Sequence, residues 1–259
     1  MPTVKFFGRV FPDAVKLDIA EHPRVNWKDQ TIDLDLDIDV SISASRVEIT
    51  CALPRFDHER HFVPVYMRAF DIARTTVDLA AFATGYGFTV LIEQFTDASG
   101  VTTPIVPMEL RLSQYCTAFS LGPSADLASN HFNNVLQRVL KDHRIFPCLR
   151  DLIDSIILPH VSSTNCARAI EGLREMIANE NIPRDKAWQR MQIALNASKD
   201  YIQSITNASR GPRHGDRTHI PGTVTTEIVE RSWILMNRFL EYKKRGDTAL
   251  PIDQFPMLS

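Results

Sequence analysis

The sequence predicts an α+β protein: an antiparallel β-rich domain with one packed helix, followed by an all-α helical bundle. Two observations carry this. Ile32, Leu34, Leu36, Ile38, Val40 and Ile42 alternate without a break against Asp33, Asp35, Asp37, Asp39, Ser41 and Ser43, a period of two that belongs to a strand with one buried and one solvated face. From about residue 113 the apolar period becomes helical nearly to the end. The boundary therefore falls between residues 1–112 and residues 113–259.

Within the first part, residues 4–10 and 15–20 read as short strands separated by Pro12-Asp13. After the long alternating strand, Val47, Ile49, Cys51 and Leu53 resume the period past Ala44-Ser45, predicting a hairpin with a tight turn. The Asp ladder lacks the Gly-bearing turn that gathers calcium ligands; carboxylates at alternate positions instead discourage edge-to-edge pairing. Asp57-His58-Glu59-Arg60-His61 has no second ligand pair at metal spacing and reads as a solvated loop. Val65, Ala69, Ile72, Ala73, Thr76, Leu79, Ala80 and Ala83 recur at helical spacing within 63–84, and Gly85 is placed to cap that helix. Residues 88–95 and 101–106 then predict two strands joined through Asp97-Ala98-Ser99-Gly100.

In the second part the candidate helices are 125–143, 146–159, 164–179, 185–208 and 223–245, joined by short links carrying Pro, Asn, Ser or Gly, as in a bundle. Trp188, Met191, Ile193 and Leu195 read as core. Val224, Ile228, Leu235, Phe239 and Tyr242 trace the apolar stripe of the last helix. The tail, with Pro251 and Pro256 among Leu250, Ile252, Phe255 and Leu258, is expected to lie extended over the body.

Composition narrows the function classes. The chain has 259 residues, 44% hydrophobic and 23% charged, with a net charge of −2. That is an ordinary folded composition without the global basic field of a general nucleic-acid binder, so any polyanion site is local. There is no signal-peptide pattern and no apolar run long enough for a bilayer, so a cytoplasmic protein with no membrane partner is expected. Cys51, Cys116, Cys148 and Cys166 are widely spaced and read as reduced, mostly buried thiols. No P-loop, dinucleotide fingerprint or nucleophile elbow occurs.

Chemistry is easiest to place in the loop Ser209-Arg210-Gly211-Pro212-Arg213-His214-Gly215-Asp216-Arg217-Thr218-His219-Ile220-Pro221-Gly222. Its glycines and prolines forbid a continuous helix, so the preceding helix stops near Ala208. Thr223 is expected to cap the last helix, whose free N–H groups suit an anion. Arg213 or Arg217 can hold a phosphate in bidentate fashion, and His214 or His219 can move protons. The other reading of the same loop is an exposed hinge, its arginines paired with Asp216 or Glu227 and its histidines capping carbonyls.

An all-helical domain whose last two helices flank an Arg-rich loop ending in His resembles the HEPN superfamily over about residues 113–245. The family motif is an Arg, usually followed by a polar residue, with a His several positions on. Arg213 through His219 fits that spacing, with His214 at the usual polar position. His214-Gly215 also resembles the pair that often closes the motif, but Arg210 is then too close upstream, so the register stays open. The resemblance implies a homodimeric, metal-independent endoribonuclease of a stress or phage-defence setting. Arg213, His219 and His214 would then be catalytic, Arg210 and Arg217 would bind RNA phosphate, and neither cofactor nor metal is required. Many HEPN members are inactive interaction modules, so the alternative is a non-catalytic scaffold that binds a protein partner through residues 1–112.

Overall fold

The computed structural model describes residues 2–19, 24–29, 33–105, 112–115, 130–178, 182–214 and 220–259. The chain divides into two compact units, Met1–Val106 and Pro107–Ser259. The division precedes residue 112 because Leu112, in the short 3-10 turn Leu112–Tyr115, is buried among the helices of the second unit. The architecture is α+β: an antiparallel sheet carrying one helix, then a series of helices.

The first unit is a six-stranded sheet of order β2-β3-β4-β1-β5-β6, built from β1 (Thr3–Phe11), β2 (Val25–Asp29), β3 (Leu34–Ser43), β4 (Arg46–Ala52), β5 (Thr89–Thr96) and β6 (Thr102–Pro104). All pairs are antiparallel. The β3–β4 turn uses positive φ at both Ala44 (49°) and Ser45 (64°), the mirror-image turn whose twist matches that of the flanking strands. Alternation sends Phe6, Leu36, Ile38, Ile49, Cys51 and Ile92 to one face. Helix α1 (His58–Thr84) covers that face with Val65, Ala69, Ala73 and Val77. Full burial of a side chain such as Phe6 is worth roughly 1.5–3 kcal/mol. Gly8 sits where the β1–β5 register slips, and a Cβ there would lie 2.1 Å from the Leu91 carbonyl oxygen; only glycine lets the two backbones approach so closely.

Several expectations for this unit are corrected. Residues 15–19 make no strand. They form a strap with a single bridge, Ile19 to Ile42, tied by the Leu17 N–H to the Ser45 hydroxyl at 2.9 Å; Ala20 lies outside the described residues. β2 was not expected, because a five-residue edge strand with every position half-buried or exposed shows no apolar alternation. It makes β3 an interior strand, so the Asp ladder does not guard an edge. Asp35 and Asp37 accept from Asn26 at 3.2 and 3.0 Å, and Asp35 pairs with Lys28 at 2.7 Å. Helix α1 begins five residues before the apolar period because Asp57 caps it, accepting from Arg60 N at 3.3 Å, and Pro64 is accommodated near its start. The expected loop 57–61 is thus the cap and first turn of a helix.

The second unit contains α2 (Asn130–Lys141), α3 (Ile145–Ile157), α4 (Ser162–Ala178), α5 (Arg184–Leu195), α6 (Lys199–Ala208), the single turn α7 (Arg210–Arg213) and α8 (Gly222–Lys244). Helix α4 is central, touching α3, α5, α6 and α8 through Cys166, Ala169, Ile170 and Leu173, all fully buried. At Gly172 a Cβ would stand 2.4 Å from Cys148 Sγ, so the missing side chain sets the close approach of α3.

The expected single helix 185–208 is broken. Asn196 ends α5 in the left-handed conformation (φ 49°), and Ser198 restarts the chain as α6, its hydroxyl accepting from Tyr201 N at 3.1 Å. Ser and Asn favour such caps because they satisfy backbone groups that a continuing helix would otherwise bond. The tail turns rather than running straight, and it is stitched into this corner. The Asn196 side-chain amide donates to the Leu250 and Phe255 carbonyls at 2.8 and 3.0 Å, while Leu258 N donates to the Asn196 carbonyl at 2.9 Å. Buried Arg238 of α8 donates to the carbonyls of Leu195 (2.7 Å), Asn196 (2.8 Å) and Pro256 (2.6 Å). Of the other expected core residues, Met191 and Leu195 are buried and Trp188 is half-buried, but Ile193 is 69% exposed, because it falls on the outer face of α5. Val224 is likewise exposed, in the first turn of α8.

Replacing Arg238 by Ala leaves these carbonyls without their donor, each costing about 1–3 kcal/mol when buried. The expected loss is about 3 kcal/mol or more in urea unfolding. Arg238→Lys should recover only part, because a single ammonium cannot reproduce the planar fork. An unchanged urea midpoint for Arg238→Ala would refute the role.

Candidate functional site

The Arg/His loop is entered from α6. Ser209 is fully buried, its hydroxyl donating to the Thr206 carbonyl at 2.7 Å. The loop was expected to be non-helical from here, but Arg210–Arg213 makes one helical turn. Pro212 is tolerated because the N–H groups of a first turn have no intrahelical acceptor to lose. His214 N–H closes the turn on the carbonyls of Arg210 (3.2 Å) and Gly211 (2.9 Å). Arg210 and His214 therefore stand four residues apart across one turn, on the same face and both exposed. The turn rests beside α4 and α6. Arg213 is the last residue of the turn; its side chain, like Arg217 and His219 altogether, lies outside the described residues.

The helices on either side of the loop are fastened together. The Tyr201 hydroxyl of α6 donates to the Arg231 carbonyl of α8 at 3.3 Å, and Arg231 donates back to Ser204 Oγ at 2.9 Å. The Arg231 guanidinium also lies 4.9 Å over the Tyr201 ring. Burial pushes the Tyr201 phenol up to about 12, so it remains a hydrogen-bond donor. Glu227 pairs with Arg231 at 2.6 Å, one turn along its own helix; its expected pairing with Arg213 or Arg217 falls on side chains outside the described residues. Helix α8 opens on Gly222 after Pro221, whose extended backbone ends the loop, and Thr223 does not cap it.

A second concavity lies between α3 and α4. It has a volume of about 420 Å³ and is lined by Arg144, Cys148, Asp151, Arg168, Glu171 and Glu175, among others. Its charges are internally paired: Arg168 meets Asp151 at 3.1 Å, Arg184 reaches Glu171 at 3.5 Å, and Arg144 holds Asp142 at 2.8 Å. Burial raises the Asp151 carboxyl above its usual range against the pull of Arg168. Burial also pushes the Cys148 thiol up to about 11, with the nearby Asp151 charge adding to it. Sequence reasoning missed this site. Its signal was Arg168, Glu171 and Glu175 at helical spacing, visible only once α3 is known to pack on that face.

The histidines at the start of α1 hold the fold together. The Asp57 N–H donates to His61 Nδ1 at 2.9 Å, and His58 stacks on Phe62 with ring centroids 4.9 Å apart. Among the described residues no group of His, Cys, Asp and Glu gathers to hold a metal. Nor is any helix there long and apolar enough to cross a membrane.

Comparison with known proteins divides the chain in the same way. Residues 4–106 match the domain of unknown function (DUF8168) N-terminal domain, and residues 132–244 match the DUF8168 C-terminal domain. Both units carry a DUF8168 match. The Arg/His loop falls within the C-terminal DUF8168 segment, and the whole sheet with α1 falls within the N-terminal one. No curated protein and no solved structure matches the chain.

A raised thiol has a kinetic signature. Because alkylation proceeds through the thiolate, the rate at Cys148 should climb about tenfold per pH unit from pH 8 to 10. Peptide mass spectrometry after iodoacetamide pulses reads it. Levelling off below pH 9 would mean the buried thiol is not raised.

Proposed function

We propose that this chain is a metal-independent endoribonuclease of the HEPN type, with Arg213, His219 and His214 as its catalytic residues and Arg210 and Arg217 as its phosphate-binding ones. The supporting observation is the single turn α7, which sets a guanidinium and an imidazole on one exposed face at the rim of a helical bundle. The chemistry is transesterification. His214 takes the proton of a ribose 2′-OH, whose oxygen attacks the adjacent phosphorus. The bond from phosphorus to the 5′ oxygen breaks, a proton passes to that leaving oxygen, and a 2′,3′-cyclic phosphate and a 5′-OH result. Arg213 stabilises the charge that builds on the phosphorane oxygens, and Arg210 and Arg217 hold neighbouring phosphates. His219 is the second imidazole of the loop and serves as the general acid. A cytoplasmic setting in stress or phage defence goes with this reading.

Incubating the purified chain with mixed tRNA and mRNA in EDTA tests it. Cleavage should leave cyclic-phosphate ends and slow at least about a hundredfold in His214→Ala, with the melting temperature unchanged because that side chain is exposed. Absence of cleavage by the wild-type chain would sink the reading. It would favour the alternative of a protein-binding module, for which Leu79 and Phe82 on α1 (Phe82 is 88% exposed) and Tyr86 just beyond its end offer an apolar surface.

The homodimer is proposed on α3. Phe146, Ile153 and Ile157 form a second, exposed apolar stripe on this helix, away from its buried residues Ile145, Cys148 and Leu152. Arg150 and Asp154 flank it, 3.0 Å apart. An antiparallel second copy brings Phe146 opposite Ile157 and Arg150 beside the partner's Asp154, a self-complementary two-fold contact. Sedimentation should show a dimer at micromolar concentration and a monomer for Ile153→Glu; a wild-type monomer throughout would exclude it.

A further inference from the structure

The sheet of the first unit has two faces, and α1 covers one. On the other, β1 presents Lys5, Phe7, Arg9 and Phe11 in alternation, cation and aromatic by turns. Successive outward side chains on a strand stand about 6.8 Å apart. Arg9 lies over the Phe11 ring at 5.2 Å and is held by Glu93 at 2.9 and 2.5 Å. Beside Phe7 the surface sinks into a concavity of about 720 Å³, lined among others by Phe7, Lys16, Ser43, Arg46 and Glu48.

Arg46 is the informative residue. It stands directly opposite Arg9 in the β1–β4 register, both side chains exposed on the same face. Like charges at opposed positions destabilise a sheet. The Arg46 side chain makes neither a hydrogen bond nor an ion pair among the described residues. Its charge reaches Asp13, a carboxylate already held by Lys16. Glu48, a carboxylate lining the concavity, is occupied by Lys5 at 2.7 Å. Arg46 and Phe7 thus line one concavity, with a second guanidinium opposite Arg46 across the strand pair.

We infer that this open face binds a single strand of nucleic acid, with Phe7 as a stacking platform for a base and Arg46, Arg9 and Lys16 around the adjoining phosphate. Repeated rings and cations along one strand fit an extended sugar–phosphate chain, whereas a phosphopeptide would need the cations but not the rings. The choice of RNA as the strand rests on the ribonuclease reading; the binding face itself rests on the sheet.

The test is fluorescence anisotropy of the full-length His214→Ala chain with a labelled twelve-nucleotide uridine RNA, and with its thymidine DNA counterpart, at low and moderate salt. Binding should weaken with salt. Arg46→Glu should weaken it about tenfold or more, and Phe7→Leu about fivefold, as expected for a lost phosphate contact and a lost stacking ring. Arg46→Glu should melt no lower than its parent, since it removes a repulsion, so the loss would not be unfolding. Affinity for neither oligonucleotide, or parental affinity in Arg46→Glu and Phe7→Leu, would overturn the inference. So would Arg46-dependent capture of a phosphoserine peptide with no oligonucleotide binding, or binding abolished by Arg210→Glu but untouched by Arg46→Glu. Cleavage that persists while these sheet variants bind normally removes this inference alone. Arg46-dependent binding without any cleavage by the wild-type chain removes the ribonuclease reading alone.

Discussion

A buried cation held by backbone carbonyls organises the helical unit. The guanidinium of Arg238 spends its donors on backbone carbonyls at the end of α5 and in the tail. Burial lowers the Arg238 pKa from its ordinary value, yet an arginine so far above neutrality stays charged. Charge-assisted bonds to carbonyls are stronger than neutral ones, and here they hold together a helix end, a left-handed residue and a returning chain. The break between α5 and α6 follows from this corner, and the direction of α6 decides where Ser209 is buried and where α7 starts. The position of the Arg/His turn is thus set from the far end of its own helix.

The sheet unit obeys a different constraint. One face is closed by α1 and filled by alternating apolar residues, with Gly8 allowing the register slip against β5. The outer face is bound mostly by paired charges, Lys5 with Glu48 and Arg9 with Glu93. Exposed pairs of this kind contribute little to stability. Their arrangement matters more for what it leaves over, and Arg46 is what remains.

Much of the fold was legible because period is a strong signal. The strand from Leu34 to Ser43, its hairpin partner and the turn at Ala44-Ser45 could be read directly, since every second residue changes character. Helices α3, α4 and α8 lay within a few residues of expectation. What escaped was set by pairing across the chain. The edge strand β2 has no apolar face of its own, so only its partner β3 makes it a strand. The break at Asn196 was hidden because α5 and α6 share one apolar phase, and the kink depends on Arg238 more than forty residues away. At the loop, Gly211 and Pro212 pointed away from helix, but a single turn needs no interior N–H, and that turn pairs Arg210 with His214. The cavity between α3 and α4 could not be read at all, because its lining comes from two helices whose contact the local pattern does not encode.

An isolated turn of helix is costly to form, since several dihedrals are fixed for very few hydrogen bonds. Helix α7 is such a turn, with a glycine in it, and its order is borrowed from α4 and α6 beneath it. The spacing between Arg210 and His214 is therefore inherited from the bundle interior. Side chains that touch neither residue, Ser209 foremost, become determinants of that spacing. Selection on core packing and selection on the surface pair then act on the same positions, so drift in the interior of this unit is read out at its rim.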